Sequence, residues 1–449
     1  MPELSDRSGL NRYLLASAIA AALGGLLFGF DTAVIAGATH ALTALYQLSP
    51  SSLGVTVSAA LWGTVIGAMF ASIPADRYGR RRSLLILALF YMVSAAGCAL
   101  AWSWPALVVF RFIGGLGIGG SSVIGPMYIA EIAPARWRGR LVALFQFNIV
   151  SGILIAYLSN YLIGLAALGG AEWRWKLGVS ALPALFFGIM VLFIPESPRW
   201  LVKRRRTDEA REVLRATGDA DYEGGLRTIV ESIDAEHGKA DEPLFQHKYR
   251  LPIFLAISIG MFNQLSGINA ILYYLNDIFA RAGFDKVSSD LQAVAIGATN
   301  FLFLLVAMSV IDRLGRRKLL LIGAAGTALA LGAVAAIFIS GAHQSWLVWC
   351  LVGFIGFFSF SQGAVIWVYL SEVFPTRVRA KGQSLGSFTH WFMNALIAWT
   401  YPMVAAKSGG VPFVFFALMM AVQFFVVLSF YPETKGITLE DMQKKLTMG

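Results

Sequence analysis

Cysteine and charge are what this 449-residue sequence has least of, and each scarcity removes a class of protein. The two cysteines, Cys98 and Cys350, both sit in apolar runs. They supply neither a disulfide framework nor a thiolate metal site and read as buried packing groups. Charged residues make up 14% of the chain, against roughly 25% in soluble domains. Also missing are a glycine-rich loop that could cradle phosphate, a nucleophile beside a base, and any metal-ligand spacing. No enzyme, nucleotide or metal cofactor is therefore expected. Period-two alternation is absent too, which rules out the strands of a β-barrel.

Hydrophobic residues fill 57% of the chain, and the mean hydropathy of +0.66 is that of a protein immersed in lipid. Runs of roughly 20 apolar residues, each long enough to cross a bilayer, recur about twelve times. The net charge of +10 could suggest nucleic acid, but its placement argues for topology instead. Arg77 with Arg80 to Arg82, Arg136 with Arg138 and Arg140, Lys203 to Arg206, Arg313 to Lys318, and Arg377 with Arg379 and Lys381 all fall in alternate connections. The intervening connections, such as 40–52 and 101–105, carry almost none. The positive-inside rule then predicts an even number of spans and both termini in the cytoplasm. The first run is too long for a secretory signal and is read as a retained span. The expected setting is an integral, multi-pass protein of the inner or plasma membrane.

The chain is a duplication. A-D-R-Y-G-R-R-R at 75–82 returns as I-D-R-L-G-R-R-K at 311–318. Glu131, Pro134, Arg136 and Arg138 return at identical spacing as Glu372, Pro375, Arg377 and Arg379. Pro195-Glu196-Ser197 returns as Pro432-Glu433-Thr434. Recurrences in one order at one offset mean two halves of six spans each. Residues 1–197 are read as the N-terminal bundle, 198–248 as a cytoplasmic helical linker that latches the halves, 249–434 as the C-terminal bundle and 435–449 as a cytoplasmic tail. An even number of spans per half inserts both copies the same way up and places a substrate site between them.

Polar residues inside the spans carry the functional argument. In F-N-Q-L-S-G-I-N-A-I-L-Y-Y-L-N at 262–276, a continuous helix would put Ser266, Asn269, Tyr273 and Asn276 on one arc, with Asn263 and Gln264 a turn earlier. Lipid cannot satisfy these amides, so they face protein, water or a hydroxyl-rich ligand, and Gly267 lets the backbone bend among them. The competing reading is hydrogen bonding between packed helices. Asp31 in the first span and Arg111 in the fourth are natural partners. The alternative for them is a structural ion pair near the headgroups. A carboxylate so placed can take up or release a proton as its exposure or its contact with Arg111 changes. Gln146, Asn300, Trp367, His390, Trp391 and Asn394 add amides and aromatics that suit the hydroxyl edges and C–H faces of a pyranose. The clusters Asp76, Arg77, Arg80, Glu131 and Arg138, and Asp312, Arg313, Arg316, Glu372 and Arg379, are read as a breakable cytoplasmic gate or as topological anchors.

With those residues in view, the chain resembles the sugar porter branch of the major facilitator superfamily over nearly its whole length. The resemblance rests on both G-R-R elements, P-M-Y-I-A-E-I-A-P at 126–134, P-E-S-P-R-W-L at 195–201, N-Q-L-S-G-I-N at 263–269 and P-E-T-K-G at 432–436. It implies an all-α membrane protein with the major facilitator fold: twelve transmembrane helices in two six-helix bundles with a cytoplasmic helical insert. It also implies that Gln146, Gln264, Asn269, Asn300 and Trp367 contact sugar, and that Asp31 matches a position that is acidic in proton symporters. The clusters around Asp76, Glu131, Arg138, Asp312, Glu372 and Arg379 match an inner salt-bridge network. Departures from the family's pattern are Asn263, where two consecutive Gln are usual, His390, where an amide is usual, and Ser72 and Met308 in place of Gly.

The expected activity is transport of a monosaccharide of the glucose, galactose or xylose class by alternating access. The proton is its coupling ion, and the carrier works as a monomer in the lipid bilayer without nucleic acid. The alternatives are a uniporter with the same site and a non-transporting sugar sensor.

Overall fold

A computed structural model describes residues 11–218, 221–237, 242–375 and 377–435. Eleven of its helices are long and apolar enough to span a bilayer: α1 (Arg12–Gly37), α2 (Pro50–Phe70), α3 (Arg80–Ala99), α4 (Trp104–Ile132), α5 (Arg136–Leu165), α6 (Gly169–Leu192), α7 (His247–Tyr273), α8 (Lys286–Ile311), α9 (Arg316–Ser340), α10 (Gln344–Glu372) and α12 (Val411–Phe430). The twelfth, α11 (Arg379–Lys407), is as long but carries the stripe Ser384, Ser387, His390 and Asn394, which lowers its hydropathy. Starts are set by ordinary capping chemistry. Ser49, Ser103 and Asp285 accept backbone N–H bonds at the starts of α2, α4 and α8, and Pro50 and Pro105 occupy first-turn positions that need no donor.

The buried apolar residues divide into three large groups, and the division describes the shape. One core draws on both halves: Phe30, Val34, Leu42, Val57 and Trp173 pack with Phe262, Ile271, Phe279, Leu347 and Phe413. These residues lie toward the end opposite the basic clusters. At the other end, beside the basic connections, each half has a core of its own. Leu14, Leu84, Ile132, Leu141 and Ile194 form one, and Leu319, Val373, Phe374, Val378 and Tyr431 the other. The halves therefore close on each other at the end opposite the basic clusters and part at the basic end. Contacts of α5 with α8 and of α2 with α11 carry the joint.

The insert is a small unit in its own right. Trp200, Leu201, Ala210, Leu214 and Leu226 give it a core. Trp200 Nε1 and Arg204 Nη2 donate to the Asp76 carbonyl at 2.9 and 3.0 Å, and Asn11 Nδ2 to the Ala216 carbonyl at 2.7 Å, so it is fastened to the N-terminal half. Residues 242–249 are fastened to the other half. Lys381 Nζ donates to the Glu242 carbonyl at 2.8 Å, and Tyr249 Oη to the Glu242 carboxylate at 2.8 Å. The side-chain bond from Lys248, and then that from Tyr249, hold the Glu242 carboxyl below the usual carboxylate range. Most of the 435–449 tail and the side chain of Asp312 lie outside the described residues. Cys98 is buried and Cys350 half-buried, both unpaired.

Candidate functional site

The site begins with a break in α7. At Gly267 the backbone turns left-handed, with φ +78°, and a Cβ there would lie 2.3 Å from the Phe416 ring of α12, so only glycine fits. The break swings Asn269 back toward the preceding turn. Asn269 Nδ2 donates to Gln264 Oε1 at 3.0 Å, and Gln264 Nε2 donates to Asn263 Oδ1 at 3.1 Å. The same Gln264 nitrogen lies 3.3 and 3.2 Å from the two ring nitrogens of His390 on α11. Four residues expected from sequence to meet a ligand are thus one connected network of neutral donors and acceptors.

Aromatic rings frame this network. The His390 ring centroid is 5.2 Å from that of Trp367 on α10 and 5.0 Å from that of Trp391. Trp391 in turn meets Phe28 of α1 at 5.2 Å, a contact between the halves. Trp367 keeps an exposed face beside the buried amides. Asn300 on α8 is buried and accepts from Ser359 Oγ at 2.7 Å, while Gln146 on α5 is half-buried. The single helical arc expected for 262–276 does not survive the break. Ser266 Oγ turns to the Asn263 carbonyl at 2.6 Å, Tyr273 Oη accepts from Asn394 Nδ2 at 3.1 Å, and Asn276 bonds Asp290. An apolar hollow of about 460 Å³ among Trp62, Phe112 and Trp399 is a separate feature, with walls that are almost wholly apolar.

Asp31 and Arg111 meet as the sequence predicts, Arg111 Nη1 donating to Asp31 Oδ1 at 3.3 Å. The contact is single and long rather than bidentate. The Arg111 side chain is 4% exposed and that of Asp31 18%, and Arg111 Nε is buried without a partner. A buried guanidinium thus faces a carboxylate that is only partly enclosed.

The two basic-end clusters are copies of one another. Arg80 grips Glu131 through Nε and Nη2 at 2.9 and 3.0 Å and reaches Asp76 at 3.1 Å, and Glu196 accepts its backbone N–H at 2.8 Å. Arg316 Nη2 binds Glu372 at 3.0 Å, and Glu433 accepts the Arg316 N–H at 2.9 Å. Ser197 and Thr434 each donate to the Glu of their own cluster. Gly79 (φ +93°) and Gly315 (φ +86°) explain the repeated G-R-R. A Cβ at either would sit 2.2 or 2.6 Å from the Glu196 or Glu433 carboxylate that caps the next helix. These bonds stay within one half. Arg77 stacks over Tyr78 at 5.4 Å, Arg138 and Arg313 point out exposed, and Arg379 Nε donates to its own Phe374 carbonyl at 3.3 Å. Among the described ion pairs at this end none crosses the cleft, so in this conformation the clusters brace each bundle rather than shut it.

The sequence reading missed three features. Ser361 breaks α10, with φ −118° and ψ −86°, as Gly267 breaks α7. Tyr157 Oη donates across the halves to the Leu272 carbonyl at 2.7 Å. A charged network joining Lys176 to Asp290 ties the halves at the end opposite the basic clusters. The first leaves no mark beyond the small residues Ser359 and Ser361, and the last two pair residues more than a hundred positions apart.

Comparison with known proteins agrees with this architecture. Residues 17–446 match the family described as "Sugar (and other) transporter". The chain is similar to a glucose transport protein of Synechocystis sp., 35% identical over 96% of this chain and 97% of that one. It is also similar to the inward-open structure of the xylose transporter XylE from E. coli, 32% identical with a TM-score of 0.86, covering 96% of this chain and 100% of that one. The proton:xylose symporter XylE bound to 6-bromo-6-deoxy-D-glucose matches with a TM-score of 0.78 at 32% identity, over 97% and 99% of the two chains. With twelve spans in two like halves and amides and aromatics gathered where the halves meet, this chain belongs to the sugar transporter family.

Proposed function

We propose that this protein carries a monosaccharide together with a proton across a cell membrane by alternating access. The carrying observation is the Asn263–Gln264–Asn269–His390 network, placed at the break in α7 between two bundles that separate at one end. Neutral amides at mid-membrane can replace the water a sugar's hydroxyls lose, and Trp367 and Trp391 offer flat faces to its C–H surfaces. Gln146 and Asn300 supply polar groups from α5 and α8. The relatives described as sugar transporters and proton symporters support hexoses and pentoses as the substrate class.

The basic end is assigned to the cytoplasm by the positive-inside rule, so this conformation is inward-open, in keeping with its closer match to the inward-open relative. Asp31 is the coupling carboxylate and Arg111 holds it. The Arg80–Glu131 and Arg316–Glu372 clusters keep the bundle ends rigid, and the exposed Arg138 is placed to reach across as the cytoplasmic end closes.

Counterflow into proteoliposomes with labelled hexoses and pentoses, run with and without an imposed pH gradient, tests this function. Exchange of at least one of these sugars, with accumulation driven by an inward proton gradient, is the expected result. Exchange that ignores the gradient makes the protein a uniporter, and no exchange with any sugar of the panel overturns the reading.

A further inference from the structure

At the end opposite the basic clusters, where the two halves share a core, lies a group of charges, three of them buried. Lys176, at the start of α6, has its side chain 1% exposed and Asp290, on α8, 3%. Lys176 Nζ meets Glu172 Oε1 at 2.9 Å, Asp290 Oδ2 at 3.3 Å and the Gly37 carbonyl at 3.2 Å. Asn276 donates to the other Asp290 oxygen, and Lys286 pairs with the other Glu172 oxygen. Gly164 lies against the group, and a Cβ there would come within 2.9 Å of Asp290 Oδ2. Two cations and two anions balance.

The grouping is divided between the bundles. Glu172 and Lys176 belong to the N-terminal half, and Asn276, Lys286 and Asp290 to the C-terminal half. In a carrier whose halves separate alternately at either end, bonds across the closed end must break in every cycle. A lone charge left in such a site is strongly unfavourable, whereas removing both partners together is close to neutral. The network is therefore formed in one state and broken in the other.

We infer that Lys176 and Asp290 form an outer gate, positioning residues whose pairing holds the external end closed and sets the ratio of inward-open to outward-open carrier. The inference rests on the alternating-access reading above but on neither the identity of the sugar nor proton coupling.

The test uses the full chain in liposomes, with Cys98→Ser and Cys350→Ser. Spin labels at Leu168→Cys and His343→Cys, exposed positions on the outer connections of opposite halves, report the distance across the outer end. Asp290→Asn and Lys176→Met should each move the populations toward the longer distance by about tenfold, within the 5- to 150-fold typical of coupled sites. Asp290→Glu should stay close to the parent. Lys176→Met/Asp290→Leu, which also lacks the pairing but leaves no lone charge, should shift no further than either single variant. Should the single variants fold poorly, Lys286→Gln on the exposed rim perturbs the same network and should give a smaller shift of the same sign. Unchanged distances in these variants, or single effects that add in the double variant, overturn the gate. If sugar moves the distances while the variants do not, only the gate fails. If nothing moves them, alternating access fails with it.

Discussion

The two halves carry matching clusters at their basic ends and differ in mid-membrane. Arg80, Glu131, Glu196 and Ser197 are matched one for one by Arg316, Glu372, Glu433 and Thr434, down to the glycine that each capping carboxylate touches. Deeper in, the N-terminal half holds an ion pair, Asp31 with Arg111, and the C-terminal half holds an uncharged network around Gln264. Duplication thus supplies a rigid frame twice, and divergence gives the halves separate tasks. On the proposed function the charged pair serves the proton and the neutral network most of the sugar contacts, with Gln146 added from the N-terminal half, while Phe28 against Trp391 puts the two regions in contact.

The largest effect expected from breaking this asymmetry is in the frame. Arg80→Met leaves Glu131 unpaired in a cluster where the side chains are 4% and 11% exposed, and should cost about 3 kcal/mol of stability in thermal unfolding. Arg316→Met, where the matching values are 11% and 24%, should cost roughly half as much. Equal losses would mean that exposure does not distinguish the copies. Gln264→Ala should come next. It removes the partner of Asn263 Oδ1 and of Asn269 Nδ2 and a donor from the sugar, weakening half-saturation by about 2 kcal/mol, or roughly 30-fold. Asp31→Asn should leave that half-saturation within a few-fold.

The smallest effect concerns the linker. The Glu242 carboxyl is held below its usual range by Lys248 and Tyr249, so its folded form binds protons more weakly than the unfolded chain. Its stabilising contribution is full above the ordinary carboxylate pKa of about 4.3 and fades as pH falls through the lower folded value. Protease protection of the linker should drop over that window, and Glu242→Gln should lower protection at neutral pH and flatten the drop.

Local pattern and repetition made much of this legible in the sequence. The duplicated clusters, the Asp31–Arg111 pair and the polar character of Asn263, Gln264, Asn269 and His390 follow from residue type and spacing, while the meeting of His390 with Gln264 across 126 positions does not. The direction of individual side chains does not. An unbroken helix puts Ser266 and Asn276 in the lane, but the left-handed turn at Gly267 sends one to its own backbone and the other to Asp290. The basic clusters read equally well as a gate or as anchors, because spacing cannot tell a bond within a bundle from one across the cleft. Lys176 and Asp290 sit at the edges of their spans and look like rim charges. Only the closure of two halves, 114 positions apart in the chain, buries them together.

Transport by Asp31→Asn and Gln264→Ala carriers in the same proteoliposomes probes the division of labour most directly. Asp31→Asn should keep sugar counterflow and lose accumulation driven by a proton gradient, while Gln264→Ala should lose both at low sugar concentration. Accumulation that survives Asp31→Asn, or counterflow untouched by Gln264→Ala, would contradict the assignment of proton and sugar to separate halves.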